Sequence, residues 1–333
     1  MTPAPGAGTP LGEAPAPLAP EDSFRQAARA AMWPQVQRLL DVEPALRDPD
    51  AVEDLKRYRV ATRRLRAALR VFEVALPKRA VGAISPELRD LARAVGRVRD
   101  LDVRIGGLVA WAADSGAPAP DVEPVRAAWA AERAAAAADV AHRLETKRHA
   151  RLLDDLAGLV RQPDSEGDTK GPAVRDRAGS ATWAAFERVR SVAAELDAAD
   201  LEVLHDLRIR AKRLRYTLEF LGPVLGADRD WLVARLVSLQ DHLGALHDAD
   251  LAAAAAQTFL ADDASIASEE QRTAIEAYIA AETAAVERLR GTLARVVRPV
   301  LADAFARRLS AAVLGPDEPK TPKASPAAKE PGS

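Results

Sequence analysis

Leu55, Tyr58, Thr62, Leu65, Leu69, Phe72 and Leu76 follow one another at steps of three and four. That spacing places them on one face of an α-helix, the face that a helical bundle buries. Lys56, Arg59, Arg63, Arg66 and Arg70 keep the same rhythm one residue over, so a basic stripe lies about 100° round the helix from the apolar one. Further along, Leu204, Leu207, Ala211, Leu214, Leu218 and Leu221 form a second apolar stripe. His205, Arg208, Lys212 and Arg215 form a second basic stripe beside it, which ends at Glu219 where the first has Arg70. Helical periodicity fills most of the chain from 21 to 314, and no segment alternates convincingly as a strand would. The predicted fold class is all-α.

Punctuation divides that periodicity into elements. A first helical segment is expected over about 21–46, interrupted at Pro34, and Asp50 is a candidate cap for the helix bearing the first basic stripe, which should end near Pro77. Ser85-Pro86-Glu87 predicts a helix start, with a capping side chain, Pro in the first turn and an acid at the positive end of the dipole. That helix should run to about 113, and another pair should fill about 121–160. The polar, Gly- and Pro-containing stretch 161–180 predicts a linker. Asp200 is a candidate cap for the second basic helix, which should stop at Gly222-Pro223. Residues 1–20 and 315–333 are rich in Pro, Ala and Gly or charge, and predict disordered tails.

The two basic helices align at a constant offset of 149: Arg59 falls on Arg208, Arg63 on Lys212, Arg64 on Arg213, Arg66 on Arg215 and Phe72 on Leu221. A second pair of segments aligns at 148, with Gly96 on Gly244, Arg99 on His247, Asp100 on Asp248 and Asp102 on Asp250. Two paired motifs in the same order predict an internal duplication, too long in period for a solenoid. The first repeat is expected over about 21–160 and the second over about 181–314, as two four-helix-bundle-like halves in a pseudo-twofold arrangement.

Composition sharpens the question the stripes raise. The chain has 333 residues, 48% hydrophobic and only 4% aromatic, with no cysteine, which excludes disulfides and zinc–thiolate sites. Its 47 basic and 49 acidic residues leave a net charge of −2. Against that balance, no carboxylate occurs from Leu55 to Phe72, although Lys56, Arg57, Arg59, Arg63, Arg64, Arg66 and Arg70 all do. Like charges three and four apart on a helix cost a few tenths of a kcal/mol per pair. An anion must offset them: the carboxylates Asp100, Asp102, Asp248 and Asp250, a bound ligand, or both. Lys56 to Arg66 spans roughly 15 Å of helix at 1.5 Å per residue. A small phosphate needs no such length; a linear polyanion does, and the guanidinium fork suits phosphate oxygens.

The residues resemble a known family. RVATRRLR at 59–66 with VGRVRDLD at 95–102, and HDLRIRAKRLRY at 205–216 with LGALHDAD at 243–250, are similar to the paired motifs of the CHAD domain, the conserved histidine α-helical domain. The resemblance covers about 21–314 and implies two four-helix bundles whose basic residues face a central cavity or groove. It also implies binding of inorganic polyphosphate, polyphosphate granules and polyphosphate-metabolising proteins as associates, and no enzymatic activity; a cytoplasmic location is expected, with which the absence of cysteine is compatible. The stripes and the resemblance together make Lys56, Arg59, Arg63, Arg66, Arg70, His205, Arg208, Lys212 and Arg215 the expected polyphosphate-binding residues, with Arg64, Arg213, Arg99 and His247 of the motifs, and Arg148 of a basic cluster on a third helix, as a secondary set. The sequence departs from the family at Lys56, which stands where the first motif should have its histidine; His205 keeps it in the second. No alternating acid–base signature of the triphosphatase domain fused to some members is present, so a stand-alone member is expected.

Two other functions compete with that expectation. A nucleic-acid binder would use the same arginines, but few aromatics are available to stack bases and the net charge is not positive. An enzyme on phosphate polymers would need a general base or a metal. His242, His247, Asp248 and Asp250 do not share one face, and neither a Gly-rich phosphate loop nor a nucleophile–base pair is recognisable, so no metal and no cofactor is expected. No apolar run is long enough to span a bilayer, and the first twenty residues lack the basic start and apolar run of a signal peptide.

Overall fold

A computed structural model describes residues 11–48, 51–161, 171–193, 201–262 and 266–314. Ten α-helices carry them: α1 (Phe24–Val42), α2 (Val52–Val71), α3 (Lys78–Ser115), α4 (Ala119–Leu144), α5 (Lys147–Arg161), α6 (Val174–Ala193), α7 (Leu201–Phe220), α8 (Arg229–Leu260), α9 (Glu269–Leu301) and α10 (Asp303–Leu314). Short 3-10 turns follow α1, α2 and α7. No strand occurs among the described residues; one isolated bridge joins Ser23 to Ala173.

Both predicted apolar stripes are core. Tyr58, Thr62, Leu65 and Phe72 of the first are fully buried, and Leu207, Ala211, Leu214, Leu218 and Leu221 of the second likewise. Burying a large aliphatic side chain contributes roughly 1.5–3 kcal/mol, so these stripes fix the rotation of α2 and α7 about their axes. α2 packs between α1 and α3, α7 packs between α6 and α8, and α2 and α7 also touch each other. The long α3 and α8 turn back beside α4 and α9, and α4 meets α9.

Helix ends follow local chemistry in part. Ser23 and Gln26 form a reciprocal capping box on α1, with Gln26 N–H donating to Ser23 Oγ at 3.1 Å and Ser23 N–H to Gln26 Oε1 at 2.7 Å. Gly116 ends α3 at φ 73, a left-handed position that a side chain would strain. The candidate caps Asp50 and Asp200 lie outside the described residues.

Two expected boundaries are not there. α1 continues through Pro34, with Met32 and Val36 fully buried on either side. α3 begins at Lys78, just after Pro77, and continues through Pro86 rather than starting at Ser85. A proline inside a helix costs about 3 kcal/mol. Burial of Ile84, with Ala80 and Val81 against the core, offsets that by a similar amount and extends the helix N-terminally. α6 begins at Val174, within the stretch expected to be a linker, whose residues 162–170 lie outside the described set. Of the two expected tails, 1–10 and 315–333 lie outside it as well. Within 11–20, Leu11 is buried and Leu18 packs against the core, while most of the others are exposed.

Candidate functional site

α2, α3, α7 and α8 surround an open cavity of about 580 Å³. Arg59 and Arg63 reach it from α2, and Arg208, Lys212 and Arg215 from α7. α3 adds Arg99, Asp100 and Arg104; α8 adds Gln240, Asp241, His247 and Asp248. The lining thus holds seven basic side chains against three aspartates. The apolar seams dictate this arrangement: once the leucines of α2 and α7 are buried, the residues one position over must face the space between the helices.

Crowding of cations shows in their acid–base behaviour. Burial, then the guanidiniums of Arg208, Arg63, Arg59 and Arg215, push the Lys212 amine down from its ordinary 10.5 to about 7. Arg59 is lowered by burial and by Arg63, with Asp100 opposing at 4.0 Å from its Nη2. His247 is also lowered, by burial, Arg208 and His205, against the pull of Asp248 and Asp100. Among the described residues, Arg63 Nε, Arg208 Nε, Arg215 Nε and Gln240 Nε2 are buried without a hydrogen-bond partner. Buried donors are normally satisfied, so Arg63, Arg208 and Gln240 favour an incoming acceptor, whereas Arg215 Nε already has the Glu219 carboxylate 3.5 Å away.

Gly244 shapes the wall opposite α7. A Cβ there would sit 3.6 Å from Arg208 Nη2, so alanine fits and a larger side chain would displace the guanidinium.

Not every residue of the predicted stripes faces the cavity. Arg66 and Arg70 line a separate recess of about 180 Å³ with Glu73, Ser85 and Arg89, because the early turns of α3 pack beside the late turns of α2. Lys56 is exposed and sits 3.5 Å from Glu53 on its own helix. His205 is exposed, its ring 5.3 Å from that of His247, which does line the cavity.

Of the secondary set, Arg99 and His247 line the cavity and the others do not. Arg64 Nη1 donates to Glu219 Oε2 at 2.5 Å and lies over the Tyr216 and Phe220 rings, so it joins α2 to α7. Arg213 is half-buried and lowered by burial and by Arg188 and Arg70. Arg148 pairs with Glu87 and Asp90 on α3, away from the cavity. Arg104, Gln240 and Asp241 line it without having been anticipated. Arg104 lies five residues after Arg99 on the long α3, and its guanidinium also lies 5.3 Å over Trp129.

The four proposed counter-carboxylates divide similarly. Asp100 and Asp248 line the cavity, whereas Asp102 accepts from Arg133 Nε of α4 at 3.1 Å, and Asp250 is not in the lining. His242 donates from Nε2 to the Leu289 carbonyl oxygen at 2.8 Å, which commits it to the α8–α9 contact. Among the described residues no group of three or more His, Asp or Glu side chains is placed to hold a metal ion.

Residues 30–257 match the family model of the CHAD domain, the region that supplies all four walls of the cavity. The chain belongs to the CHAD family. Two curated relatives from strains of Mycobacterium tuberculosis, the uncharacterized proteins MT2285 and Rv2226, are each 32% identical over 233 residues, 64% of this CHAD chain. The chain spans 42% of the length of these relatives. Among solved structures, the CHAD domain from the plant Ricinus communis superposes with a TM-score of 0.61 at 23% identity, over 92% of this chain and 98% of that one. PptA from Streptomyces chartreusis superposes with a TM-score of 0.67 at 18% identity, over 83% of this chain and 99% of that one. At such identities these two likenesses concern the fold. No helix among the described residues is long and apolar enough to cross a membrane.

Proposed function

We propose that this CHAD protein binds inorganic polyphosphate in the cavity between α2, α3, α7 and α8. The observation that carries the reading is the convergence of Arg59, Arg63, Arg208, Lys212 and Arg215 on one space, where burial and then repulsion by the arginines lower Lys212 to about 7. Such crowding is destabilising in the free protein and is relieved by a multiply charged anion. The α7 contribution from Arg208 to Arg215 extends roughly 10 Å along the helix at 1.5 Å per residue, which suits a chain of phosphates better than a single one.

The paired stripes also support an internal duplication, in which α2–α3 and α7–α8 are corresponding units that each contribute half of the wall. Binding rather than catalysis is the proposed role: among the described residues the lining contains no serine, threonine or cysteine, and its Lys212 and His247 sit among cations suited to hold an anion. It contains no Phe, Tyr or Trp either, so a nucleic acid would gain phosphate contacts without base stacking. On this reading the protein resides in the cytoplasm, associates with polyphosphate granules, and meets polyphosphate-metabolising proteins there.

Titration with polyphosphates of defined length at two salt concentrations tests the proposal. Affinity should rise with chain length and fall linearly in log–log with salt, as counterions are released from the polymer. Equal affinity for short and long chains overturns it, and displacement of long polyphosphate by RNA at equal phosphate concentration favours the nucleic-acid reading instead.

A further inference from the structure

Lys212 stands apart from the other cavity cations. It is half-buried on α7, and every charged neighbour that acts on its amine is an arginine: Arg208 and Arg215 from its own helix, Arg59 and Arg63 from α2. From α3 the cavity also receives Arg99, Arg104 and Asp100; from α8 it receives Asp241, Asp248 and His247. The Lys212 amine therefore shares one open space with guanidiniums suited to hold a phosphoryl group. A desolvated lysine beside other cations is a recognised way to obtain a nucleophilic amine.

We propose that Lys212 is a site of Nε-acylation by acyl phosphates, captured through their phosphoryl group by the surrounding arginines. The unprotonated amine donates its lone pair to the acyl carbon, and the bond from that carbon to the bridging oxygen breaks. Orthophosphate leaves with the electron pair and takes up the proton lost from nitrogen, so an amide and hydrogen phosphate result with no oxidation or reduction.

Charge counting favours a small dianion over a polymer for this reaction. With Lys212 neutral, the lining keeps six guanidiniums against three aspartates, an excess that one acyl phosphate cancels only in part. A long polyphosphate overcompensates the excess and returns the amine to its protonated form. Acylation and polymer binding should therefore exclude each other, and the acylated cavity lacks one cation.

The size of the effect follows from two opposing factors. At pH 7 an amine titrating at about 7 is half neutral, about 10³ times the neutral fraction of an ordinary lysine. Nucleophilicity falls with basicity, and a slope of roughly 0.4–0.5 per pKa unit, as thiolates show, removes about 30-fold of that. A net advantage of roughly 30-fold remains.

The test is acetylation of the full chain by acetyl phosphate, followed by peptide mass spectrometry at each lysine. Lys212 should be modified roughly 30-fold faster than exposed Lys56, with a rate that levels off above pH 7. Long polyphosphate should protect it, and Arg63→Gln should slow it by raising the amine's basicity. Labelling of Lys212 no faster than Lys56, a rate still climbing toward pH 10, or no change in Arg63→Gln overturns the proposal. Lys212→Arg, which removes the acylable amine but keeps a long basic side chain, checks the peptide assignment. The inference rests on the anion-binding reading of the cavity, but the two fail separately. Polyphosphate that binds with length dependence while Lys212 stays unlabelled overturns the acylation alone; Lys212 labelling unaffected by long polyphosphate, which then fails to bind, overturns the polymer reading.

Discussion

Along α7, Arg208, Lys212 and Arg215 all face the cavity; along α2, Arg59 and Arg63 do, while Arg66 and Arg70 turn into the recess with Arg89. The stripes match in sequence, so the difference comes from neighbours. Where α2 has Arg70, α7 has Glu219, and that carboxylate lies 3.5 Å from Arg215 Nε and 2.5 Å from Arg64 Nη1. It converts the late turns of α7 into an ion-paired junction with α2. At the corresponding place on α2, Arg70, Arg89 and Arg93 instead lower the basicity of Arg66 by repulsion, after burial. A spacing rule thus places a cation on a face, and the element packed opposite decides whether that cation serves a ligand or the scaffold.

Charge reversal should separate the two regions most sharply. Arg63→Glu with Lys212→Glu puts two acids into a cavity that already holds three, and polyphosphate affinity should fall by at least about 100-fold, because like-charge juxtaposition costs several kcal/mol. Arg66→Glu with Arg70→Glu makes at least as large a change in net charge but acts at the recess, so the loss should be less than about tenfold at moderate salt. Equal losses, read by calorimetric titration, would erase the distinction between the two stripes.

The Glu219 junction should register in stability before it registers in binding. Glu219→Gln leaves Arg64 and Arg215 without their shared carboxylate, at positions where the side chains of all three are less than a third exposed. Breaking such a partly buried pair should cost roughly 1–3 kcal/mol in denaturant unfolding. Polyphosphate affinity should hold or rise slightly, since Arg215 is released toward the ligand. A large loss of affinity with unchanged stability would place Glu219 in ligand positioning instead.

Much of this was legible before any coordinates. The helical class and every position of the two apolar stripes followed from spacing, because burial on one face is a local property of sequence. Arg59, Arg63, Arg208, Lys212 and Arg215 followed from the same geometry, one residue over. What spacing could not convey was the partner across each interface. Nothing near Asp102 in the sequence announces Arg133, thirty-one residues on and on another helix. The stripe continues through Arg66 and Arg70 and so points them to the cavity, while Ser85-Pro86, which resembles a helix start, conceals the early turns of α3 that divert them. Pro34 misled in the same way: a local breaker was outweighed by tertiary burial.

The response to pH, gentle per unit, has the most diagnostic sign. In the free folded protein Lys212 titrates at about 7, against about 10.5 when unfolded, whereas a bound polyanion favours the ammonium form and lifts the value again. Below pH 7 the amine is already protonated and affinity is full. As pH rises through 7, binding must take up a proton, so affinity should fall, by less than tenfold per pH unit because one lysine is involved. His247, lowered by burial, Arg208 and His205, contributes in the same direction at lower pH. Folding of the free protein responds oppositely. Between about 7 and 10.5 the unfolded chain holds a proton that the folded amine lacks, so Lys212 contributes rising stability with pH across that window, and its full penalty applies below it. Lys212→Arg should remove the Lys212 share of both slopes, read as the difference from the parent protein, which cancels His247 and the tyrosines, whose burial raises their own values. Affinity and stability that change with pH in the same sense, or a Lys212→Arg variant with the same slopes as the parent protein, would show that burial and the surrounding arginines do not hold Lys212 unprotonated near neutrality.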